Sequence, residues 1–185
     1  FSPGRRAPSG QTVSGSVPTA KNSLRRTGQR SQWADVMMHG RAVDCFIEGP
    51  SFDKAGNLYI VDIPFGRIFR IDPSGMFDVI ADYDGEPNGL KIHADGRIFI
   101  ADHKQGILQL DPDTGTVTPA LDRPRLERFK GCNDLFFTAD GTLYFTDQGQ
   151  TGLHDPTGRL FRQRTDGALD IVLDMVPSPN GLVTN

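Results

Sequence analysis

Cysteine is scarce in this chain. Its 185 residues hold two, Cys45 and Cys132, 87 positions apart. That spacing gives neither a CxxC zinc pattern nor a disulfide framework, and it fits reduced, buried thiols rather than a cystine-stapled secreted scaffold. Long apolar runs are missing too. None approaches the ~18–20 residues that a membrane-spanning helix needs. Trp occurs once and Tyr three times, against 12 Phe. The 21 Gly and 13 Pro make the chain turn-rich, at about 18%, short of the roughly 25–30% of a low-complexity chain. No stretch carries a convincing helical stripe. By length the chain is one domain or a piece of a larger one.

Acidic residues are absent from positions 1–34, which carry six basic side chains: Arg5, Arg6, Lys21, Arg25, Arg26 and Arg30. The overall charge of −3 therefore conceals a body of 151 residues at −9. An acidic body argues against nucleic acid as the main partner and suits a bound cation. Sixteen of the first 34 residues are Ser, Thr, Gly or Pro, and residues 1–40 are read as a disordered leader that cannot bury enough apolar surface to offset its ordering entropy. An Arg- and Ser-rich, acid-free leader also resembles an organellar transit peptide, although it lacks a clear amphipathic face. A solvated tail on a cytoplasmic protein is the first expectation, and organelle import the alternative. The chain begins with Phe, so its true start is expected to lie upstream.

From Glu48 onward the sequence repeats. Gly56-Asn-Leu-Tyr-Ile-Val-Asp62, Gly96-Arg-Ile-Phe-Ile-Ala-Asp102 and Gly141-Thr-Leu-Tyr-Phe-Thr-Asp147 begin 40 and 45 residues apart. Each opens at a turn glycine, continues through mostly apolar β-branched or aromatic residues and ends at an aspartate, the pattern of a buried strand. A second strand follows each block, over 67–72, 106–111 and 159–163, then a Gly-containing turn and a third strand over 77–81, 116–121 and 169–173. One short strand precedes each block, opening at Glu48, Asn88, Asn133 or Asn180. Four short antiparallel strands per ~40–47 residues make a propeller blade. The predicted fold is all-β, a six-bladed β-propeller of which residues 41–185 supply about three and a quarter blades. A closed six-bladed ring needs roughly 270 residues at this period, and the chain stops at Asn185 inside a repeat, so a fragment is expected.

The repeat also identifies equivalent positions. Glu48, Asn88 and Asn133 each precede their turn glycine by eight residues, and Asn180 stands before Gly-Leu as Asn88 does. All four open innermost strands, which line the channel of a propeller. One carboxylate and three carboxamides are hard oxygen donors, the chemistry of Ca²⁺ with its 6–8 oxygen ligands; no Cys or His cluster favours a softer metal. The competing reading is that Asn-Gly simply turns the chain into the strand.

Glu48-Gly-Pro-Ser-Phe-Asp, Gly131-Cys-Asn-Asp-Leu, Leu143-Tyr-Phe-Thr-Asp and Ser178-Pro-Asn-Gly-Leu resemble the senescence-marker-protein/gluconolactonase family, which includes bacterial lactonases and a calcium-dependent diisopropyl fluorophosphatase. The resemblance spans residues 44–185, with the motifs in the family's order. It implies a six-bladed propeller with an axial catalytic divalent cation, usually calcium, and hydrolysis of a small lactone or ester. By similarity Glu48 and Asn180 match metal ligands, and Asn133 matches a residue contacting metal or substrate. Asn88 stands where members vary, which leaves it a pocket-lining role. Two departures are evident. The family's remaining ligand, an Asp proposed as general base, lies one blade further on, past the end of this chain, so a calcium-dependent lactonase is expected of the complete protein and inactivity of the fragment alone. An arginine that contacts sugar lactones in some members is replaced by Gly131. The implied reaction uses the cation as a Lewis acid on the lactone carbonyl and as a guide for the attacking group.

Other residues are candidates of a weaker kind. Asp102, His103 and Asp147 are expected near the substrate pocket, with turn capping the alternative for the aspartates, Asp62 included, and solvation the alternative for His103 and His154. Cys132 is expected to be a buried structural thiol. Arg123, Arg125, Arg128 and Lys130 read as a solvated basic loop. A non-catalytic propeller that binds protein or carbohydrate and an organophosphate hydrolase are the rival functions; a binding propeller has no need of aligned axial Glu and Asn.

Overall fold

The chain alternates apolar and polar residues in runs too short for helices and punctuates them with Gly-containing turns, so its backbone hydrogen bonds are made between strands. The computed structural model describes residues 31–43, 45–122 and 126–183. It consists of three four-stranded antiparallel sheets. The first contains β1 (Ile47–Phe52), β2 (Leu58–Asp62), β3 (Arg67–Ile71) and β4 (Phe77–Asp82); the second β5 (Pro87–Ile92), β6 (Ile98–Asp102), β7 (Gly106–Leu110) and β8 (Val117–Leu121); the third β9 (Cys132–Phe137), β10 (Leu143–Asp147), β11 (Gly158–Gln163) and β12 (Leu169–Val176). Each sheet is an up-and-down meander in chain order. The first strands β1, β5 and β9 touch one another in turn, so they form the inner edge of three successive blades.

Two apolar seams hold the blades together. Val61, Ile68 and Ala81 of the first blade interdigitate with Leu90, Ile100 and Leu108 of the second. Phe99, Ala101 and Ile107 of the second pack on Leu135, Phe145 and Phe161 of the third. The second seam is aromatic: Phe145 and Phe161 stack with centroids 5.2 Å apart, and Phe129 stands edge-on to both at 5.2 Å. Such pairs add ~0.5–1.5 kcal/mol beyond their burial.

One element departs from the all-strand expectation. Residues Gln32–Met37 form a short helix, α1, capped where Ser31 Oγ accepts from Ala34 N at 3.3 Å. It is held by tertiary contact rather than by periodicity: Ala34 is buried against Val43 and Phe65, and Ser31 N donates to Pro64 O at 2.9 Å. Residues 31–40 therefore differ from the disordered leader expected of them, because six residues are too few to show a helical stripe in sequence. Residues 1–30 lie outside the described ones. Among the described residues no helix is long and apolar enough to cross a membrane.

Candidate functional site

Each inner strand carries a β-bulge at its candidate residue or directly after it. Glu48 pairs with Val61 but Ser51 pairs with Tyr59; Pro87 pairs with Asp102 but Gly89 with Ala101; Cys132 pairs with Asp147 but Leu135 with Phe145. One extra residue enters the ladder after Glu48 in β1, at Asn88 in β5 and at the Asn133–Asp134 pair in β9, and a bulge of this kind re-aims a side chain. The glycine that follows has a packing reason. A Cβ on Gly89 would lie 2.7 Å from Asn133 O and 2.8 Å from Asp134 Oδ1, and one on Gly49 would lie 2.6 Å from Leu90 N. At these two positions the inner strands approach so closely that only glycine fits; in β9 the equivalent residue is Asp134. At Asn88-Gly89 the turn reading is thereby replaced: the pair sits in a strand, against the next blade.

The bulges bring a polar set together. Asn133, 6% exposed, donates through Nδ2 to Gln148 Oε1 at 2.7 Å and to Asn88 Oδ1 at 3.3 Å. Gln148 Nε2 in turn donates to Ser178 Oγ at 2.8 Å. Asn88 is half-buried, while Glu48 and Asn180 are exposed. Asn180 does not lie in a strand. It is placed instead by the third blade: Thr146 Oγ1 donates to Asn180 O at 2.9 Å, and Leu182 N donates to Asp134 Oδ2 at 3.2 Å. Gln148 and Ser178 were not among the sequence candidates. Aligning the repeat one residue past the strand-ending aspartate and two residues before the inner-strand Asn points to both.

The strand-ending aspartates do something else. Asp62, Asp102 and Asp147 are fully buried, and each accepts from the backbone N–H sixteen residues earlier: Phe46 N at 2.7 Å, Glu86 N at 2.8 Å and Gly131 N at 2.8 Å. They latch the incoming inner strand to its blade. Arg67 completes the first latch (Nε 2.8 Å to Asp62 Oδ2) and Arg159 the third (Nε at 3.0 Å and Nη2 at 2.7 Å, both donating to Asp147 Oδ2). In the second blade that arginine position is Gly106, and the Tyr83 hydroxyl takes over at 2.8 Å, with Lys104 N and Gln105 N capping the β6–β7 turn. Burial raises the carboxyls of Asp62 and Asp102 above the usual range, against the hydrogen bonds that lower them, and it pushes the Tyr83 hydroxyl well up. Turn capping describes Asp102 in part, through Lys104 N and Gln105 N, while Asp147 ties down Gly131 N and Arg159 instead; the oxygens of both are committed inside the blades.

The remaining candidates separate cleanly. Cys132 is fully buried, and burial together with the charges of Asp147 and Asp102 pushes its thiol well up, which makes it inert. His154 is exposed. Of the basic loop, Arg128 is exposed and Lys130 Nζ binds Thr157 O at 2.8 Å, whereas Arg123 and Arg125 lie outside the described residues. His103 lies half-buried against Gly131.

The signature of the SMP-30/Gluconolactonase/LRE-like region matches residues 46–185. The chain belongs to this family. It is 31% identical to a gluconolactonase of Zymomonas mobilis over 92% of its own length and 58% of the relative's, and 32% identical to the diisopropyl-fluorophosphatase of Loligo vulgaris over 73% and 50%. Among solved structures it resembles a gluconolactonase from Xanthomonas campestris (TM-score 0.63, 24% identity, 70% of this chain and 48% of that one) and a virginiamycin B lyase from Staphylococcus aureus (TM-score 0.54, 14% identity, 74% and 44%). These last two show the propeller fold. The chain spans about half the length of the relatives it matches.

The polar set fits a hard cation by its donor chemistry. Asn133 spends its Nδ2 on Gln148 and Asn88, which leaves Oδ1 as the atom a cation would meet. Glu48 forms no ion pair among the described residues, and its carboxylate is exposed. No group of three His, Cys, Asp or Glu side chains gathers at one point among the described residues. A cation here would rest on one carboxylate and on amide oxygens, a set that suits calcium better than a softer metal.

Proposed function

We propose that this chain belongs to a hydrolase that opens lactone rings, with Glu48, Asn133 and Asn180 as the ligands this chain supplies to a divalent cation, calcium first. The observation that supports this reading is the shared bulge, which delivers an oxygen-bearing side chain from each successive blade to the same inner edge. The names of the relatives, gluconolactonase and lactonase among them, supply the substrate class. Bound calcium would polarise the ester carbonyl and raise the nucleophilicity of an attacking water.

The chain's own residues bind and orient. Gln148 fixes the plane of the Asn133 amide, so its oxygen is pre-aimed at no rotational cost during reaction. Asn88, half-buried and bonded to Asn133, lines the substrate side. Glu48 is the single negative charge of the set, so the hydroxy acid that forms meets little repulsion beyond it. A fluorophosphate ester is a second substrate class, favoured by the 32% identity to diisopropyl-fluorophosphatase; its phosphoryl oxygen would occupy the place of the lactone carbonyl.

The test is acid release at constant pH by the native full-length protein, from glucono-δ-lactone and, separately, from diisopropyl fluorophosphate, with calcium and then with chelator; the 185-residue chain by itself is expected to be inactive. The expected result is opening of the lactone roughly a hundredfold or more above background, abolished by chelation. Release at the spontaneous rate from both substrates with calcium present overturns the proposal.

A further inference from the structure

One residue past each strand-ending aspartate, the repeat places Ile63, His103 and Gln148. In the third blade this position reaches the inner edge twice: Gln148 accepts from Asn133 of its own blade, and it donates to Ser178, two residues before Asn180. Position for position, His103 is the Gln148 of the second blade, and the residue two before Asn133 is Gly131. There too the two meet. A Cβ on Gly131 would lie 2.3 Å from His103 Cε1 and 2.4 Å from its Nδ1, so the imidazole fills the space that a side chain at 131 would take. The backbone fixes it further, with His103 N donating to Glu86 O at 2.9 Å.

The neighbours leave His103 available. Ile63 is buried and apolar, and Gln148 has its amide committed at both ends. Lys104 is paired with Asp84, and Gln105 Nε2 donates to Asp84 O. His103 Nδ1 is buried with no hydrogen-bond partner among the described residues. A bare acceptor is less costly to bury than an orphaned N–H, so the ring proton belongs on Nε2. The geometry points to His103 as a substrate-binding residue whose Nε2–H donates to a hydroxyl of a polyhydroxylated lactone held beside Asn88 and Asn133. This rests on the lactone reading of the site and sets which lactones it prefers.

His103→Phe keeps a ring on Gly131 and removes the donor. In the full chain the expected result is a KM for glucono-δ-lactone raised about tenfold, the worth of one buried hydrogen bond, with kcat within about threefold and the KM for hydroxyl-free δ-valerolactone unchanged. A merely structural role moves both substrates together; that outcome, or no change in either, overturns the proposal. Should the parent chain open no lactone at all, the functional reading fails and a binding measurement decides. Nitrogen-15 NMR of the imidazoles with D-gluconate as probe should show a saturable shift of His103 Nε2, and a resonance that stays still overturns the assignment.

Discussion

The two ends of each blade use the same residue for opposite purposes. At the end holding the β1–β2 and β3–β4 type turns, aspartates are exposed and cap their own loops. Asp72 Oδ1 accepts from Ser74 N at 2.8 Å and Met76 N at 3.0 Å, Asp111 Oδ1 from Asp113 N at 2.9 Å, and Asp140 Oδ1 from Thr142 N at 3.0 Å. At the end holding Glu48, Asn88 and Asn133, aspartates are fully buried and bind segments sixteen residues away. The first kind shapes a turn that any exposed Asn could shape. The second holds the inner strand in its bulged register, on which the polar set depends. Local repair is cheap at one end, and at the other a single atom fixes the site.

That contrast is broken most severely at Arg67, which is 2% exposed and forms the buried pair with Asp62 while lying over the rings of Phe65 and Phe69. Arg67→Ala leaves Asp62 charged and unpaired in the blade, at a cost of about 3–5 kcal/mol. Urea denaturation monitored by fluorescence checks this, and a loss under 1 kcal/mol would mean that water replaces the guanidinium. A smaller loss follows from Gly89→Ala, since the new Cβ must displace the backbone of Asn133; crowding of this kind costs about 1–3 kcal/mol, and it should disturb calcium binding as well. Glu48→Gln sharpens the comparison from the other side. Its side chain is exposed, so stability should stay within about 0.5 kcal/mol while calcium affinity, read by isothermal calorimetry, falls at least about tenfold. Equal affinity in that variant removes Glu48 from the site.

Blade periodicity was legible because strand alternation, turn glycines and strand-ending aspartates recur at fixed offsets. Twelve strands follow that pattern with ends shifted by a residue or two, and β12 runs on to Val176. The placement of Glu48, Asn88 and Asn133 on inner strands was legible for the same reason, whereas Asn180 stands outside any strand. The bulges were not: an extra residue in one strand is defined by its partner, and the only local signal, a glycine in β1 and β5, is missing from β9, where Asp134 follows Asn133. Nor was the burial of Asp102 and Asp147. A strand-ending Asp reads alike in sequence whether it caps a turn or ties down a distant N–H, and the difference lies in contacts sixteen residues away. Gln148 was missed because an isolated polar residue in a loop has no signature until its blade-to-blade equivalents are set beside it. The helix at Gln32–Met37 was missed because its stability comes from Phe65 and Val43, not from its own six residues.

The smallest effect expected is on pH dependence, and there the two ends differ in sign. Asp72, Asp111 and Asp140 are held below the usual carboxylate value of 3.8, first by the Ser74 hydroxyl, the Asp113 amide and the Thr138 hydroxyl respectively. The unfolded chain takes up protons on these groups before the folded one does, so their contribution is complete above about pH 4 and is lost as pH falls through the depressed folded values. Asp62 and Asp102 are raised above 3.8, first by burial. Here the folded state holds the proton longer, so their contribution is present below 3.8 and declines as pH rises through the folded values. Exposure screens the turn groups, which keeps each of their effects slight. Melting curves from pH 3 to pH 7 should therefore show Asp72→Asn losing less stability on acidification than the parent chain. Asp102→Asn removes the group that resists acid and should lose more. Parallel curves for the two variants would mean that the buried and exposed aspartates titrate alike, and the distinction between the two ends of the blade would then be one of position without electrostatic consequence.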